Sequence, residues 1–203
     1  IIAGCGIHND SHKISRHDGI HRFFLEENAR VKYVEKHYGE GTGNGENILN
    51  PVTEVYLKKG SFMEMDSTQI KGVDSTIRET KGILEADTNF VVTEKIMTDG
   101  NQFAETLFDV KLNGENASTH VVSRSVAKDN SKQVFESKVN GNNKCYGHVE
   151  CDAIIQDNGQ VHAIPEIKAK HIDANLVHEA TIGKIAGEQL LKLMSLGLTA
   201  SEA

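Results

Sequence analysis

The chain has 203 residues, of which 38% are hydrophobic and 25% charged, and its formal net charge is −7 at pH 7. This length allows one domain with a real core and room for a small appendage. The negative charge argues against a nucleic-acid partner, because such affinity depends on Lys and Arg that neutralise phosphates. No apolar run approaches the ~20 residues of a membrane span. Three cysteines without a disulfide-framework spacing favour a reducing compartment, so we expect a soluble, cytoplasmic protein.

The first residues of the chain are rich in histidine. Two pairs at i, i+4 spacing could bind a metal from one face of a helix. However, Asp18 and Gly19 are poor helix formers, and no apolar stripe supports a helix here. We therefore predict a solvated loop or an edge strand for this segment, preceded by the tail of a strand at residues 1–5. The four histidines are His8, His12, His17 and His21.

Beyond the glycine-rich segment 39–45, short stretches rich in Val, Ile, Thr and Phe alternate with two-residue turn signals. Such spacing predicts short stacked strands, either in a sandwich or in a β-helix, and the pattern alone leaves both open. The turn signals are Lys59-Gly60, Lys71-Gly72, Lys81-Gly82, Asp99-Gly100, Asn113-Gly114, Asn140-Gly141 and Asn158-Gly159.

Near the C-terminus, the apolar periodicity changes from that of strands to that of a helix. Residues 148–155 and 161–169 predict two strands joined by a turn at 157–159, with Pro165 at a bend or an edge. From Thr181, apolar residues recur at helical spacing and predict an amphipathic helix of about four turns. A second helix is predicted from the capping box that begins at Thr199.

In order and spacing, six segments of this C-terminal region resemble the SufB/SufD family, whose members are iron–sulfur cluster assembly scaffold components. A weaker resemblance continues upstream through residues 25–31 and 33–35, so that it covers most of the chain. The six segments are Glu150-Cys151-Asp152-Ala153, Pro165-Glu166-Ile167, Asp173-Ala174, His178-Glu179-Ala180-Thr181, Gly183-Lys184-Ile185 and Glu188-Gln189-Leu190.

The resemblance implies a right-handed parallel β-helix followed by C-terminal α-helices. We expect a β-helix core domain over residues 1–176, with its strands spanning roughly Val31 to Leu176. Residues 177–203 are expected to begin a helical region.

The resemblance also implies a site formed by Cys151, His178 and Glu179. Thiolate is the soft ligand of iron–sulfur chemistry, and imidazole with carboxylate can complete a site that must release its cluster. From the residues alone, a buried structural cysteine and solvated residues at a helix start are the simpler explanation. Glu179 favours the SufB type, because the SufD type keeps the histidine but replaces the glutamate.

One position departs from the SufB pattern. Where SufB has its sulfur-accepting cysteine after Tyr-Val-Glu, this chain has His37. Cys5 and Cys145 are candidates to replace it, although Cys145 is more simply explained as a strand residue. Sulfur could also be delivered directly to Cys151.

The resemblance implies a scaffold without its own turnover, which carries a transient iron–sulfur cluster, with reduced flavin as a further cofactor to consider. Its implied partners are a SufC-like ABC ATPase, a second SufB/SufD-like chain and a sulfur donor system. The chain has no phosphate-binding Gly-x-x-x-x-Gly-Lys-[Ser/Thr] loop, so ATP is expected to bind the partner. Two alternatives are a SufD-like structural partner and, more remotely, a β-helix carbohydrate-active enzyme. The residues expected to bind the ATPase are Ile182, Ile185, Leu190 and Leu193.

Overall fold

The computed structural model describes residues 1–184 and 194–195. The described part is built almost entirely from β-strands, most of them ten or eleven residues long. They are β1 (Ile2–His8), β2 (Ser15–Leu25), β3 (Arg30–Glu40), β4 (Asn47–Leu57), β5 (Phe62–Gln69), β6 (Ser75–Leu84), β7 (Asn89–Thr98), β8 (Phe103–Leu112), β9 (Ala117–Ala127), β10 (Lys132–Gly141), β11 (Cys145–Ile155), β12 (Gln160–Ala169) and β13 (Ala174–Lys184).

Successive strands alternate between two sheets. The odd-numbered strands form one sheet in the order β1-β3-β5-β7-β9-β11-β13, and the even-numbered strands form the other in the order β12-β10-β8-β6-β4-β2. Each turn advances the chain by 27 to 32 residues, from Phe62 opposite Asn89 to Ile2 opposite Val34. Every strand pairing among the described residues is parallel. The structure is therefore a parallel β-solenoid of about six turns, which confirms stacked strands and excludes the sandwich.

The core lies between the two sheets. Side chains of a strand alternate in direction, so every second residue faces the interior, as in β4, where Leu49, Val55 and Leu57 are buried. Partners in a parallel, in-register pair face the same side, and inward residues of successive turns therefore stack in columns. One apolar cluster of such residues extends from Leu25 to Cys151.

The corners of the solenoid also stack. Asn28, Gly60, Asp87 and Asn116 begin the turn into successive odd strands, and all four have φ between 57° and 72°. Asn, Asp and Gly tolerate this left-handed conformation best. The backbone N–H of each donates to the chain one turn further on, at 2.8 to 3.0 Å. Every corner thus supports its neighbour, and the turn signal at Lys59-Gly60 is confirmed.

The turn signal at Lys81-Gly82 is wrong, because both residues lie inside β6. Gly82 faces the interior, where a Cβ would come within 3.0 Å of Val110 Cγ2 and 3.2 Å of Leu84 Cδ1. This glycine makes room for its neighbours and does not turn the chain.

The two ends of the chain partly match the expectations. The histidine-rich segment forms β1 and β2, the edge strands of the two sheets, as one of the two alternatives predicted. Pro165 lies on β12, which is also an edge. The helix predicted from Thr181 starts too early, because residues 181–184 belong to β13. The solenoid therefore extends past Leu176. Of the predicted helical region beyond Lys184, the structure describes only residues 194–195, which are helical, and the rest lies outside the described residues.

Candidate functional site

A column of polar residues runs through the interior of the seven-stranded sheet. Each residue of the column is the register partner of the next one, on consecutive odd-numbered strands from β3 to β11. At ~4.8 Å per strand, four steps cover about 19 Å. We call this set the polar column: Glu35, Ser67, Glu94, Ser123 and Cys151. It ends opposite Ala180 of β13.

Arg78 of β6 reaches this column from the opposite sheet. Its guanidinium donates to Ser67 Oγ at 2.8 Å and to Glu94 Oε2 at 3.3 Å. A second guanidinium nitrogen lies 2.7 Å from His37 Nδ1, on the strand that carries Glu35. Arg78 and Glu94 are 2% and 4% exposed. A buried charge is tolerated only when it is paired, and Arg78 and Glu94 neutralise each other inside the protein.

Hydrogen bonds extend this network towards Cys151. Glu94 Oε1 accepts from the hydroxyls of Thr106 at 3.0 Å and Ser123 at 3.1 Å. Ser123 is the register partner of Cys151 on the neighbouring strand. A cavity of about 10 Å³ lies against Glu94, Ser123, Gln133 and Cys151, barely the space that one water needs.

Cys151 faces the interior and is 1% exposed. Burial raises the pKa of its thiol to about 11, and the negative charges of Glu94 and Asp152 act in the same direction. The side chain is therefore a neutral thiol at physiological pH. It becomes a thiolate ligand or a nucleophile only if its surroundings change.

His178 and Glu179 lie on β13, one turn after Cys151. His178 pairs with Val149 and faces the interior, on the same side of the sheet as Cys151. Burial lowers the pKa of His178, with His148 acting in the same direction, and its Nε2 is buried without a hydrogen-bond partner. Glu179 pairs with Glu150 and faces outwards. The structure thus places His178 on the interior side with Cys151 and Glu179 on the opposite side of the sheet.

Glu179 belongs instead to a group of polar residues on the outer surface. His120 Nε2 lies 3.2 Å from Glu150 Oε1, and His148 lies 3.7 Å from both Glu150 Oε1 and Glu179 Oε1. The ligand atoms of His120, His148 and Glu150 lie within 4.8 Å of one another, close enough to share a metal ion. The sequence analysis missed this outer cluster. The sequence signal that could have revealed this cluster is the separation of His120 and His148 along the chain, which equals one turn of the solenoid.

The remaining cysteines lie in different surroundings. Cys5 is half-buried on β1, in register with His37 of β3. Cys145 is buried in the apolar cluster, which confirms its interpretation as a strand residue. Of the four residues expected to bind an ATPase, Ile182 lies on β13 and is 38% exposed. Ile185, Leu190 and Leu193 lie outside the described residues.

The last turn of the solenoid is exposed along most of its length. In β12, eight of the ten residues are exposed, and β13 is exposed from Glu179 to Lys184. Among the described residues, both are edge strands with one sheet neighbour each. Such an edge presents unpaired backbone groups to any further strand. Cys151 lies on β11, one strand inside this edge.

Comparison with known proteins identifies the family of the chain. A family model described as the SufBD core domain of SUF system FeS cluster assembly matches residues 72–203. An iron-sulfur cluster assembly SufBD family protein of Methanocaldococcus jannaschii is 33% identical over 178 residues, which cover 87% of this chain. The chain therefore belongs to the SufBD family of iron–sulfur cluster assembly proteins.

Two further relatives align over the whole chain. SufBD family proteins of Archaeoglobus fulgidus and Methanothermobacter thermautotrophicus are 28% and 29% identical, and both cover 100% of it. The chain covers 56%, 54% and 49% of the three relatives, so it spans about half of their length.

The described residues contain no helix that is long and apolar enough to cross a membrane.

Proposed function

We propose that this chain is a scaffold component that assembles and transfers a labile iron–sulfur cluster at Cys151, with no catalytic turnover of its own. The observation that carries the proposal is the position of Cys151. In a SufBD family member, this thiol lies at the end of a buried polar column, one strand inside a sheet edge that is exposed and unpaired within the described part of the chain.

Assembly requires the last turn to move. In the structure, Cys151 faces the interior as a neutral thiol, and its register partner Ala180 lies beside it on β13. Displacement of β13 would uncover the sulfur and free His178 to reach it. Glu179 would then come from the outer surface of this chain or from a second chain paired along the edge. One thiolate with weaker nitrogen and oxygen ligands would hold a cluster that is easily released.

Such a movement needs a partner that supplies energy. We propose a SufC-like ABC ATPase that binds the C-terminal region including Ile182, Ile185, Leu190 and Leu193. We further propose pairing with a second SufB/SufD-like chain, a sulfur donor system, reduced flavin as electron source and a cytoplasmic location. Support comes from family membership and from the lack of a phosphate-binding loop in the sequence. The resemblance implies that His37 stands where SufB has its sulfur-accepting cysteine, and on that basis sulfur would arrive at Cys151 directly or by way of Cys5.

A SufD-like structural role is the second candidate. Two observations favour it: the pKa of Cys151 is raised by burial, and Glu179 faces away from Cys151. In that role the chain would support a cluster-binding partner and bind no cluster itself.

Anaerobic reconstitution with ferrous iron and sulfide separates the two roles. We expect the wild-type protein to gain the visible sulfur-to-iron absorption bands and Cys151→Ala to lose them with its strand circular dichroism unchanged. Cys145→Ala is the matched control, since this cysteine is also buried on β11, and it should keep the bands. A wild type that assembles no cluster would support the SufD-like role, whereas a Cys151→Ala protein that still assembles one would contradict Cys151 as the cluster site.

The ATPase contact can be tested by ending the chain after Lys184, the last residue of β13. This truncation keeps every described strand, and we expect it to abolish co-purification with an ABC-type ATPase. Retained co-purification would contradict the proposed contact.

A further inference from the structure

Three metal-ligating side chains meet at the N-terminal end of the solenoid. Cys5 and Glu35 lie on the neighbouring strands β1 and β3, and His21 reaches them from β2 of the other sheet. One ligand atom from each lies within 4.8 Å of the other two. Cys5 and His21 are half-buried, whereas Glu35 is 1% exposed. The group is therefore anchored in the core and accessible from solvent.

The hydrogen bonding of Glu35 is unbalanced. Four groups approach its Oε1 atom: the Tyr33 hydroxyl at 2.9 Å, His21 Nδ1 at 3.0 Å, His37 Nε2 at 3.1 Å and Cys5 Sγ at 4.0 Å. One carboxylate oxygen has lone pairs for about two donors. The Oε2 atom of the same carboxylate is buried and has no hydrogen-bond partner. A buried acceptor without a partner is costly, and a cation bound among these groups would engage it.

His37 is also incompletely satisfied. Although His37 Nε2 is 3.1 Å from Glu35 Oε1, as in an ion pair, it is not aligned for a hydrogen bond. Arg78 donates to the other ring nitrogen, Nδ1, at 2.7 Å. Nδ1 must therefore be the acceptor, so Nε2 carries the proton. With one ring nitrogen bonded to Arg78 and the other protonated, His37 is not free to bind an ion itself.

The chemistry of the three remaining groups defines the ion. Thiolate, imidazole and carboxylate are the ligands that zinc takes from proteins, while the sulfur disfavours magnesium and calcium. The thiolate of Cys5 and the carboxylate of Glu35 would together offset the charge of a dication. This compensation matters because Arg78 brings a positive charge close to His37. Three protein ligands leave a fourth tetrahedral position for water or another small ligand.

We propose that Cys5, His21 and Glu35 form a binding site for a divalent transition-metal ion of the zinc type, with one coordination position open to solvent. The site does not depend on the proposed role of Cys151. Glu35 and Cys151 stand at opposite ends of the polar column, about 19 Å apart at ~4.8 Å per strand.

Cobalt titration tests the site, because a thiolate bound to Co²⁺ gives an intense near-ultraviolet charge-transfer band. The experiment uses metal-free protein that carries Cys151→Ala, so that the proposed cluster site cannot contribute. We expect one equivalent of Co²⁺ to produce the band and one equivalent of Zn²⁺ to abolish it. Cys5→Ala should lose the band and weaken Zn²⁺ binding at least about 100-fold, more than the loss of a supporting group does.

A second ligand variant and two control variants complete the test. Glu35→Gln preserves the size of the buried side chain and should weaken Zn²⁺ binding while strand circular dichroism is retained. Matched controls are Cys145→Ala and His17→Ala, the latter on the same strand as His21, and both should bind as the parent does. The proposal is overturned if the parent gives no charge-transfer band, or if Cys5→Ala keeps it. It is equally overturned if Glu35→Gln binds Zn²⁺ with the affinity of the parent.

Discussion

Two neighbouring columns of inward-facing residues differ completely in chemistry, although the same seven-stranded sheet supplies both. The polar column contains Glu35, Glu94 and Cys151. The other column lies two residues earlier on every strand and contains Tyr33, Met65, Val92, Val121 and Val149. Members of both columns are almost fully buried.

The difference shows what each column contributes. The apolar column stabilises the fold by removing hydrocarbon from water, at about 25 cal/mol for each Å². The polar column needs a matched set of charges and hydrogen bonds merely to avoid a penalty. A solenoid of this size could be closed by apolar residues alone. The polar column therefore carries an energetic requirement that the apolar column does not have.

Removal of Arg78 should break the polar column most severely. Arg78→Met leaves Glu94 buried without its counter-charge, which costs about 3 to 5 kcal/mol in free energy of unfolding. Urea denaturation measures the loss. The double variant Arg78→Met, Glu94→Gln should recover a large part of it, because no unpaired charge remains.

The control is the exposed pair of Arg22 and Glu54, whose charged atoms are 2.7 Å apart. Arg22→Met should cost less than about 1 kcal/mol, as is usual for surface ion pairs. Equal losses for Arg78→Met and Arg22→Met would contradict the distinction between the two columns.

In the apolar column, Met65→Ala should cost about 3 kcal/mol, since Met65 is 1% exposed and its removal leaves a cavity. Met97 faces outwards on β7 and is only half-buried, so Met97→Ala should cost less than about 1 kcal/mol. The free energy of unfolding in urea again gives the comparison. A similar cost for both methionines would mean that the interior is loosely packed.

The smallest expected effect concerns the pH dependence of stability at Cys151. Its ordinary pKa of 9.0 is raised to about 11 in the folded protein, so the unfolded chain releases this proton first as the pH rises. The thiol therefore contributes its full stability below pH 9 and loses that contribution as the pH rises towards 11.

Between pH 8.5 and 11, metal-free wild type should lose about 1 to 2 kcal/mol more than Cys151→Ala. Urea unfolding at stepped pH measures this difference. Parallel curves for the two proteins would show that Cys151 is not held as a buried thiol.

The sequence predicted the architecture better than the site. Turn signals such as Lys59-Gly60 mark strand ends because the left-handed corner requires Gly, Asn or Asp. The signal fails at Gly82, where the glycine makes room for Val110, its register partner on the neighbouring strand β8. The predicted helix start at Thr181 is wrong, because apolar residues spaced for one face of a helix are also compatible with an exposed edge strand.

The candidate site could be predicted only in part. Resemblance identified Cys151, His178 and Glu179, but the direction of each side chain depends on register, and a shift of one residue reverses the face. The polar column left no readable pattern, because turns of 27 to 32 residues place its members at unequal intervals. Only the pairing of the strands shows that Glu35, Glu94 and Cys151 share a line.

The stacked corners give the solenoid the thermodynamics of a one-dimensional lattice, in which each turn is coupled only to the turns before and after it. Loss of a terminal turn then sacrifices a single set of neighbour interactions, whereas an interior turn loses two. Among the described turns, fraying should therefore start at the two ends, β1 with β2 and β12 with β13. The free energy of exposing Cys151 should be that of one local opening at the second of these ends, well below that of global unfolding.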